Sequence, residues 1–179
     1  MGVLAEIREG AFRSVVNGVL AHPLVPFSQR WRLLRACGFP FEPALIGSGV
    51  WFGGRDVTIG RGSGVNMGVV FDSMAPITLG EQVYVGHQVL ILTSTHEKGT
   101  NGRAAGKAVG KPVTIEDGAW IGARSVILPG VTIGAGCTVA AGSIVRRNCV
   151  PGGLYAGNPA RLVRGPQPDR SATEDVTAA

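Results

Sequence analysis

At 179 residues, 45% of them hydrophobic, the chain is one domain's worth and long enough to bury a core. Its net charge of +5 raises nucleic acid as a partner, but the basic residues are not interleaved with the few aromatics, so no nucleic-acid surface is expected. The three cysteines read as reduced, packed thiols, which favours the cytoplasm; no stretch approaches a membrane span, and Pro23 and Pro26 interrupt the only segment resembling a signal peptide.

Residues 4–20 carry loose helical periodicity, and Ser28 is placed to cap a second helix through Trp31, Leu34 and Ala36 to Gly38. Arg30, Arg32 and Arg35 beside Trp31 and Leu34 leave a membrane-surface helix open as a second reading of this segment. From Ile46 onward, large apolar residues recur at steps of about six: Ile46, Phe52, Ile59, Val65, Phe71, Leu79, Val85 and Ile91. After a lapse the series continues unbroken as Ile115, Ile121, Ile127, Ile133, Val139 and Val145. The fourth residue after most of these later ones is small, as at Ala119, Ser125, Cys137, Ser143 and Cys149.

Neither an α-helix nor an alternating strand has this period. A six-residue unit is one short strand plus a corner, and such a strand cannot bury an apolar face alone. Successive coils must therefore stack, each sending its large residue into a narrow shared core, which makes the fold an all-β solenoid. The preceding helices are expected to cap the first coil, whose open end would otherwise expose strand edges.

The steps from Phe52 to Ile59 and from Phe71 to Leu79 are too long, so extra residues bulge at corners. Gly47, Gly53, Gly60, Gly80, Gly86, Gly122 and Gly134 each follow a large residue, which suits crowded backbone or a positive φ. Asn66 and Asp72 fill the same slot and tolerate a positive φ better than most residues. Where the repeat lapses, a protruding loop is expected over residues 97–111, and His96 stands at its start. His22 precedes the repeat and His87 falls at a corner. Trp120, one residue before a core isoleucine, must face outward. Arg146, Arg147, Arg161 and Arg164 cluster near the end of the repeat, where a small polyanion can dock. The composition beyond Gly165 reads as a disordered tail.

Units such as Ile121-Gly122-Ala123-Arg124-Ser125-Val126 and Ile133-Gly134-Ala135-Gly136-Cys137-Thr138 resemble those of the hexapeptide-repeat acyltransferases, over roughly residues 46–164. The resemblance implies a left-handed parallel β-helix of triangular section and a homotrimer with its sites between subunits. The chain then divides into a helical cap (1–43), a β-helix (44–164) with its loop (97–111), and the tail (165–179).

Thr93-Ser94-Thr95-His96, followed by a loop and Lys111-Pro112-Val113-Thr114-Ile115, is similar to the catalytic segment of the galactoside and maltose O-acetyltransferases. That similarity implies His96 as general base. An ordinary imidazole, with a pKa of about 6.5, accepts a proton from an alcohol near neutral pH. Glu97 would point elsewhere in an extended strand and is not assigned as its orienting group. Coenzyme A is a small polyanion, and the resemblance implies coenzyme contacts at Trp120, Ala123, Ala141, Arg146, Arg147 and Arg164, with Trp120 a wall of the cleft. Packing of Trp120 at a trimer seam is compatible with that role. Where this chain has Arg146-Arg147, relatives often carry Thr-Lys, so the charge is kept and the hydroxyl is lost. Asn66 and Asp72 match acceptor-contacting positions, Asp72 only with a one-residue shift of the alignment; the alternative for both is a corner residue in left-handed conformation, and for Asp72 the two readings weigh equally.

These residues imply an acetyl-coenzyme A dependent O-acetyltransferase acting on a sugar or glycosylated small molecule, with acetyl-coenzyme A as co-substrate and no metal required. N-acetylation of an amino sugar and a non-catalytic scaffold stay open. A zinc enzyme of the same fold needs three converging imidazoles, and only His87 and His96 lie within the repeat. Residues 1–43 do not match the N-terminal region in which the galactoside and maltose enzymes carry an acidic acceptor contact, so acceptor identity is open as well.

Overall fold

The computed structural model describes residues 2–166. Its body is a left-handed parallel β-helix of about six turns, with three flat faces made of short strands. The chain starts each turn on a seven-stranded face, whose parallel part comprises Leu45–Ile46, Gly64–Val65, Tyr84–Val85, Trp120–Ile121, Thr138–Val139 and Leu154–Gly157. It rounds a first edge onto a five-stranded face: Trp51–Phe52, Val70–Asp72, Leu90–Leu92, Val126–Ile127 and Ile144–Val145. A second edge leads to a four-stranded face, Val57–Ile59, Ile77–Leu79, Val113–Ile115 and Thr132–Ile133, and a third edge leads back.

Coils pair in register, so that Val65, Val85, Ile121 and Val139 form one inward column. Every large position of the repeat from Ile46 to Val145 is buried, none more than 3% exposed, and the small positions are buried with them. Cys137 and Cys149 lie in this core as free thiols. Their mutual hydrogen bond and burial push the Cys149 thiol well above the ordinary range.

Crowding, and not conformation, explains the glycines that follow the large residues. None of them has a positive φ, and a Cβ would stand 2.6 Å from the Met67 nitrogen at Gly47 and 2.6 Å from the Ala123 nitrogen at Gly86. Asn66 and Asp72 are not left-handed either; among non-glycine residues that conformation falls to Gln82, Gln88, Asn101 and Arg124. Backbone stacks directly on backbone at the first and third edges. Extra residues leave the coil only at the second edge, at residues 53–56, 73–76 and 94–110, which accounts for every irregular step of the repeat.

The longest of these excursions is more ordered than a loop. Ser94–Lys98 and Ala105–Gly110 pair as an antiparallel hairpin, with His96 opposite Ala108. At the far end of the solenoid, Ala160–Arg164 folds back on Leu154–Gly157 and closes the seven-stranded face. Of the expected tail, residues 167–179 lie outside the described residues.

The cap supplies a partner to each open sheet end. Helix α1 (Val3–Ser14) runs into a π-helical turn, Val15–Val19, from which Asn17 donates Nδ2 to the Phe52 carbonyl (3.0 Å) and accepts the Phe52 N–H at Oδ1 (2.8 Å). That side chain does for the five-stranded face what a further strand would do. On the four-stranded face the Glu42 N–H donates to the Ile59 carbonyl at 3.0 Å. On the seven-stranded face the Ile46 carbonyl accepts from Arg30.

Arg30 belongs to α2 (Phe27–Ala36) and is 2% exposed. It also donates to the carbonyls of Leu20 (2.6 Å), His22 (3.0 Å) and Val25 (2.6 Å). Burial lowers its pKa from the ordinary value, yet a guanidinium stays charged and its donor fork suits converging carbonyls. The membrane-surface reading therefore fails for Arg30. Ser28 does not cap α2: the helix begins at Phe27, and the Pro26 carbonyl accepts the Gln29 and Arg30 N–H groups. Beneath the cap, Phe12, Phe39, Phe41, Phe52 and Phe71 form a continuous aromatic stack, with neighbouring ring centroids 4.9–5.8 Å apart. Among the described residues no helix is long and apolar enough to cross a membrane.

Candidate active site

The expected site residues separate onto different parts of the prism. His96, Asp72, Arg146 and Arg147 all lie along the second edge. Asp72 ends the strand Val70–Asp72, and its carboxylate accepts from the backbone N–H of Ser94 at 3.0 Å and from the Ser94 hydroxyl. Thr93 adds to this anchor. Its hydroxyl donates to the Asp72 carbonyl and accepts the Ala75 N–H at 3.1 Å. The base of the hairpin is thus tied to the coil below, two residues before His96. His96 itself is exposed, and no hydrogen bond among the described residues engages its ring. Arg146 and Arg147 follow Ile144–Val145, further along the same edge, and both are exposed.

Ala123, Ala141 and Asn66 sit on the first edge. A Cβ at Gly122 would overlap the Ala141 nitrogen, so the two coils touch backbone to backbone there. The Asn66 Nδ2 donates to the Val85 carbonyl at 2.9 Å, and no hydrogen bond among the described residues uses its Oδ1. Trp120 stands on the outer surface of the seven-stranded face, 59% exposed, in register with Tyr84 on one side and Thr138 on the other. Arg164 pairs with Leu154 in the closing strands and is exposed. Within one chain, then, His96 and Asp72 do not meet Trp120, Ala123 or Asn66; the five-stranded face lies between the two edges.

A cleft of about 400 Å³ opens beside Asn66, between the cap and the seven-stranded face. It also exposes Tyr84 and His87, neither of which was singled out as a site residue. Tyr84 had a signal available: it occupies the same outward slot as Trp120, one coil earlier. Asn17, Arg30 and Ser94 were missed because their roles arise from segments that meet only in three dimensions. Among the described residues no three His, Cys, Asp or Glu side chains gather as a metal-ligand set.

A family model described as bacterial transferase hexapeptide (six repeats) matches residues 112–147. The structure of a hexapeptide-repeat-containing acetyltransferase from Vibrio cholerae O1 biovar eltor, complexed with acetyl coenzyme A, is similar with a TM-score of 0.76 and 34% identity, covering 94% of this chain and 93% of that one. A galactoside acetyltransferase in complex with coenzyme A gives a TM-score of 0.76 at 30% identity, over 88% of this chain and 78% of that one. The galactoside O-acetyltransferase of Escherichia coli (strain K12) is 33% identical over 124 residues, which is 69% of this chain and 61% of that protein. Matches to the curated relatives span only part of their lengths, from 54% to 61% for the first three. The stacked six-residue coils, the corner glycines that let them stack and a likeness extending over nearly the whole chain agree: this protein belongs to the hexapeptide-repeat acetyltransferase family.

Proposed function

We propose that this protein is an acetyl-coenzyme A dependent O-acetyltransferase acting on a hydroxyl of a sugar or glycosylated small molecule. The observation that carries the reading is the setting of His96. It sits on the one long excursion from the coil, and that excursion's base is locked by Asp72, so an exposed imidazole is held on ordered backbone. Two similar structures contain acetyl coenzyme A or coenzyme A, which supports the thioester as donor.

In this reading the neutral His96 ring accepts the proton of the acceptor hydroxyl while its oxygen attacks the thioester carbonyl. A C–O bond forms, and the C–S bond breaks as the tetrahedral intermediate collapses. The proton held on His96 passes to the departing thiolate, so the imidazole ends as it began. No covalent enzyme intermediate is needed, since both substrates meet at one site. Asn66 and Asp72 contact the acceptor; Trp120, Ala123, Ala141, Arg146, Arg147 and Arg164 contact the coenzyme.

The division of these residues between two edges supports a homotrimer in which the first edge of one subunit faces the second edge of the next. The reduced thiols agree with a cytoplasmic enzyme. Calorimetry with acetyl-coenzyme A, followed by thiol-release assays on matched hydroxyl and amino sugars, tests the proposal. Saturable binding with turnover on hydroxyl acceptors is expected. Turnover confined to amines would replace O- with N-acetylation, and folded protein that binds no coenzyme would leave a scaffold.

A further inference from the structure

The hairpin that carries His96 is cationic, and its cations have no counterions. Residues 94–111 hold Lys98, Arg103, Lys107 and Lys111 against a single carboxylate, Glu97. All four cations are exposed, and among the described residues no ion pair engages any of them. Like charges gathered on so short a segment repel one another, so an anion bound among them relieves a cost already present in the free protein.

The hairpin holds these side chains on ordered backbone. It closes on a tight turn at Asn101-Gly102, with φ +54° and +79°, in which the Arg103 N–H donates to the Thr100 carbonyl at 3.1 Å. Beside the turn, Gly99, Thr100, Arg103, Ala105, Gly106 and Lys107 line a cavity of about 310 Å³, with no carboxylate among them. That volume falls at the lower end of small-molecule sites. Ala105 is also the register partner of Lys98, so the cavity opens on the side of the hairpin that Lys98 occupies. Strand alternation puts Lys98 on the same side as His96, about 7 Å along Ser94–Lys98, and turns Glu97 to the other. Opposite His96 and Lys98 stand Ala108 and Ala105, whose short side chains leave this side open from the imidazole to the cavity. Lysines on exposed strands also guard against edge pairing, but that purpose needs no cavity shared by Arg103 and Lys107.

We propose that the acceptor is an anionic sugar, and that Arg103, Lys107 and Lys98 hold its phosphate or carboxylate while its hydroxyl meets His96. The inference rests on the O-acetyltransferase reading for the identity of the ligand as acceptor. The spacing of Lys98 from His96 is comparable with one hexose ring, so the charge belongs to the acetylated ring or to the group next to it. In the same reading the phosphates of the coenzyme have Arg146, Arg147 and Arg164, which leaves the hairpin's cations for the acceptor.

The test measures binding of glucose, galactose and mannose, their 6-phosphates and their uronates to the full chain saturated with coenzyme A, at low and at high salt. Because no acetyl group is present, the result does not depend on turnover. At low salt at least one anionic sugar is expected to bind about tenfold more tightly than its neutral parent, as two or three exposed charge pairs supply. Added salt should shrink that ratio. Arg103→Gln combined with Lys107→Gln should remove most of the ratio, and Lys98→Gln alone should lower it about two- to fivefold, with affinity for neutral sugar and for coenzyme A unchanged. Equal affinity for anionic and neutral sugars, a ratio indifferent to these substitutions, or no binding by any member overturns the site. Weaker coenzyme A binding in the variants, with the sugar ratio intact, would give the cations to the coenzyme and overturn it too. An anion preference lost in the variants, in a protein that transfers acetyl to no hydroxyl, would keep the site and sink the O-acetyltransferase reading, so the two failures are distinguishable.

Discussion

His96 and Arg30 show how differently a single polar residue can be used. His96 is exposed, carries no internal hydrogen bond among the described residues, and stands on a strand anchored two residues earlier through Asp72 and Ser94. Its ring is free to meet a substrate. His96→Ala should therefore lower turnover by about 10²–10⁴-fold while leaving acetyl-coenzyme A affinity within a few-fold of wild type, as steady-state kinetics beside calorimetry would record. Unchanged turnover would remove the general-base assignment. Arg30 is the opposite case, buried and spent on four carbonyls. Arg30→Met keeps much of the volume but strands those acceptors, and a loss of about 3–5 kcal/mol is expected. A urea melt that barely moves would mean that water replaces the guanidinium.

At the level of the hexapeptide unit, close approach and left-handed conformation are separate demands on glycine, made at different positions. Gly122 is at a close approach, where a Cβ would overlap the Ala141 backbone, while Gly136 has φ +62° and nothing within 4 Å. Gly122→Ala must move backbone and should cost about 3 kcal/mol. Gly136→Ala pays only for its left-handed conformation, about 1–2 kcal/mol. Paired thermal melts test the order, and the reverse ranking would show that the coils separate more easily than their stacking suggests. The sequence leaves both demands open after each large residue, because a glycine's identity does not say which one it serves. The hairpin poses a similar problem. Residues 94–110 have no hexapeptide period, and their pairing depends on cross-strand contacts that local composition does not encode.

For the molecule as a whole, the expected site is split between two edges of one prism. If the first edge of one subunit meets the second edge of the next, two inactive variants can complement each other. His96→Ala and Asn66→Ala chains, each inactive alone, should on equal mixing regain activity in about a quarter of the sites, where one intact edge of each kind meets. Assay of purified mixed oligomers decides this, and no recovery would place His96 and Asn66 in the same half of a site or outside it altogether. The cap belongs to this scale as well. Asn17, Glu42 and Arg30 each satisfy one of the three sheet ends, so the helices act as a terminal unit of the solenoid.

By itself the sequence determined the solenoid, its core and the point where the coil is interrupted, because a six-residue period leaves only one way for each unit to bury its large side chain. From Ile46 to Val145 the core can be named residue by residue, and His96 can be located at the interruption. The resemblance, carried by whole motifs, added the chemistry expected of His96 and the residues around it. Only the tertiary structure decided which edge each of those residues occupies, that Arg30 is a buried clamp, that Asp72 holds the hairpin, and that a cleft opens between the cap and Tyr84. Those features arise where segments distant in sequence come together, and such contacts leave no periodic trace along the chain.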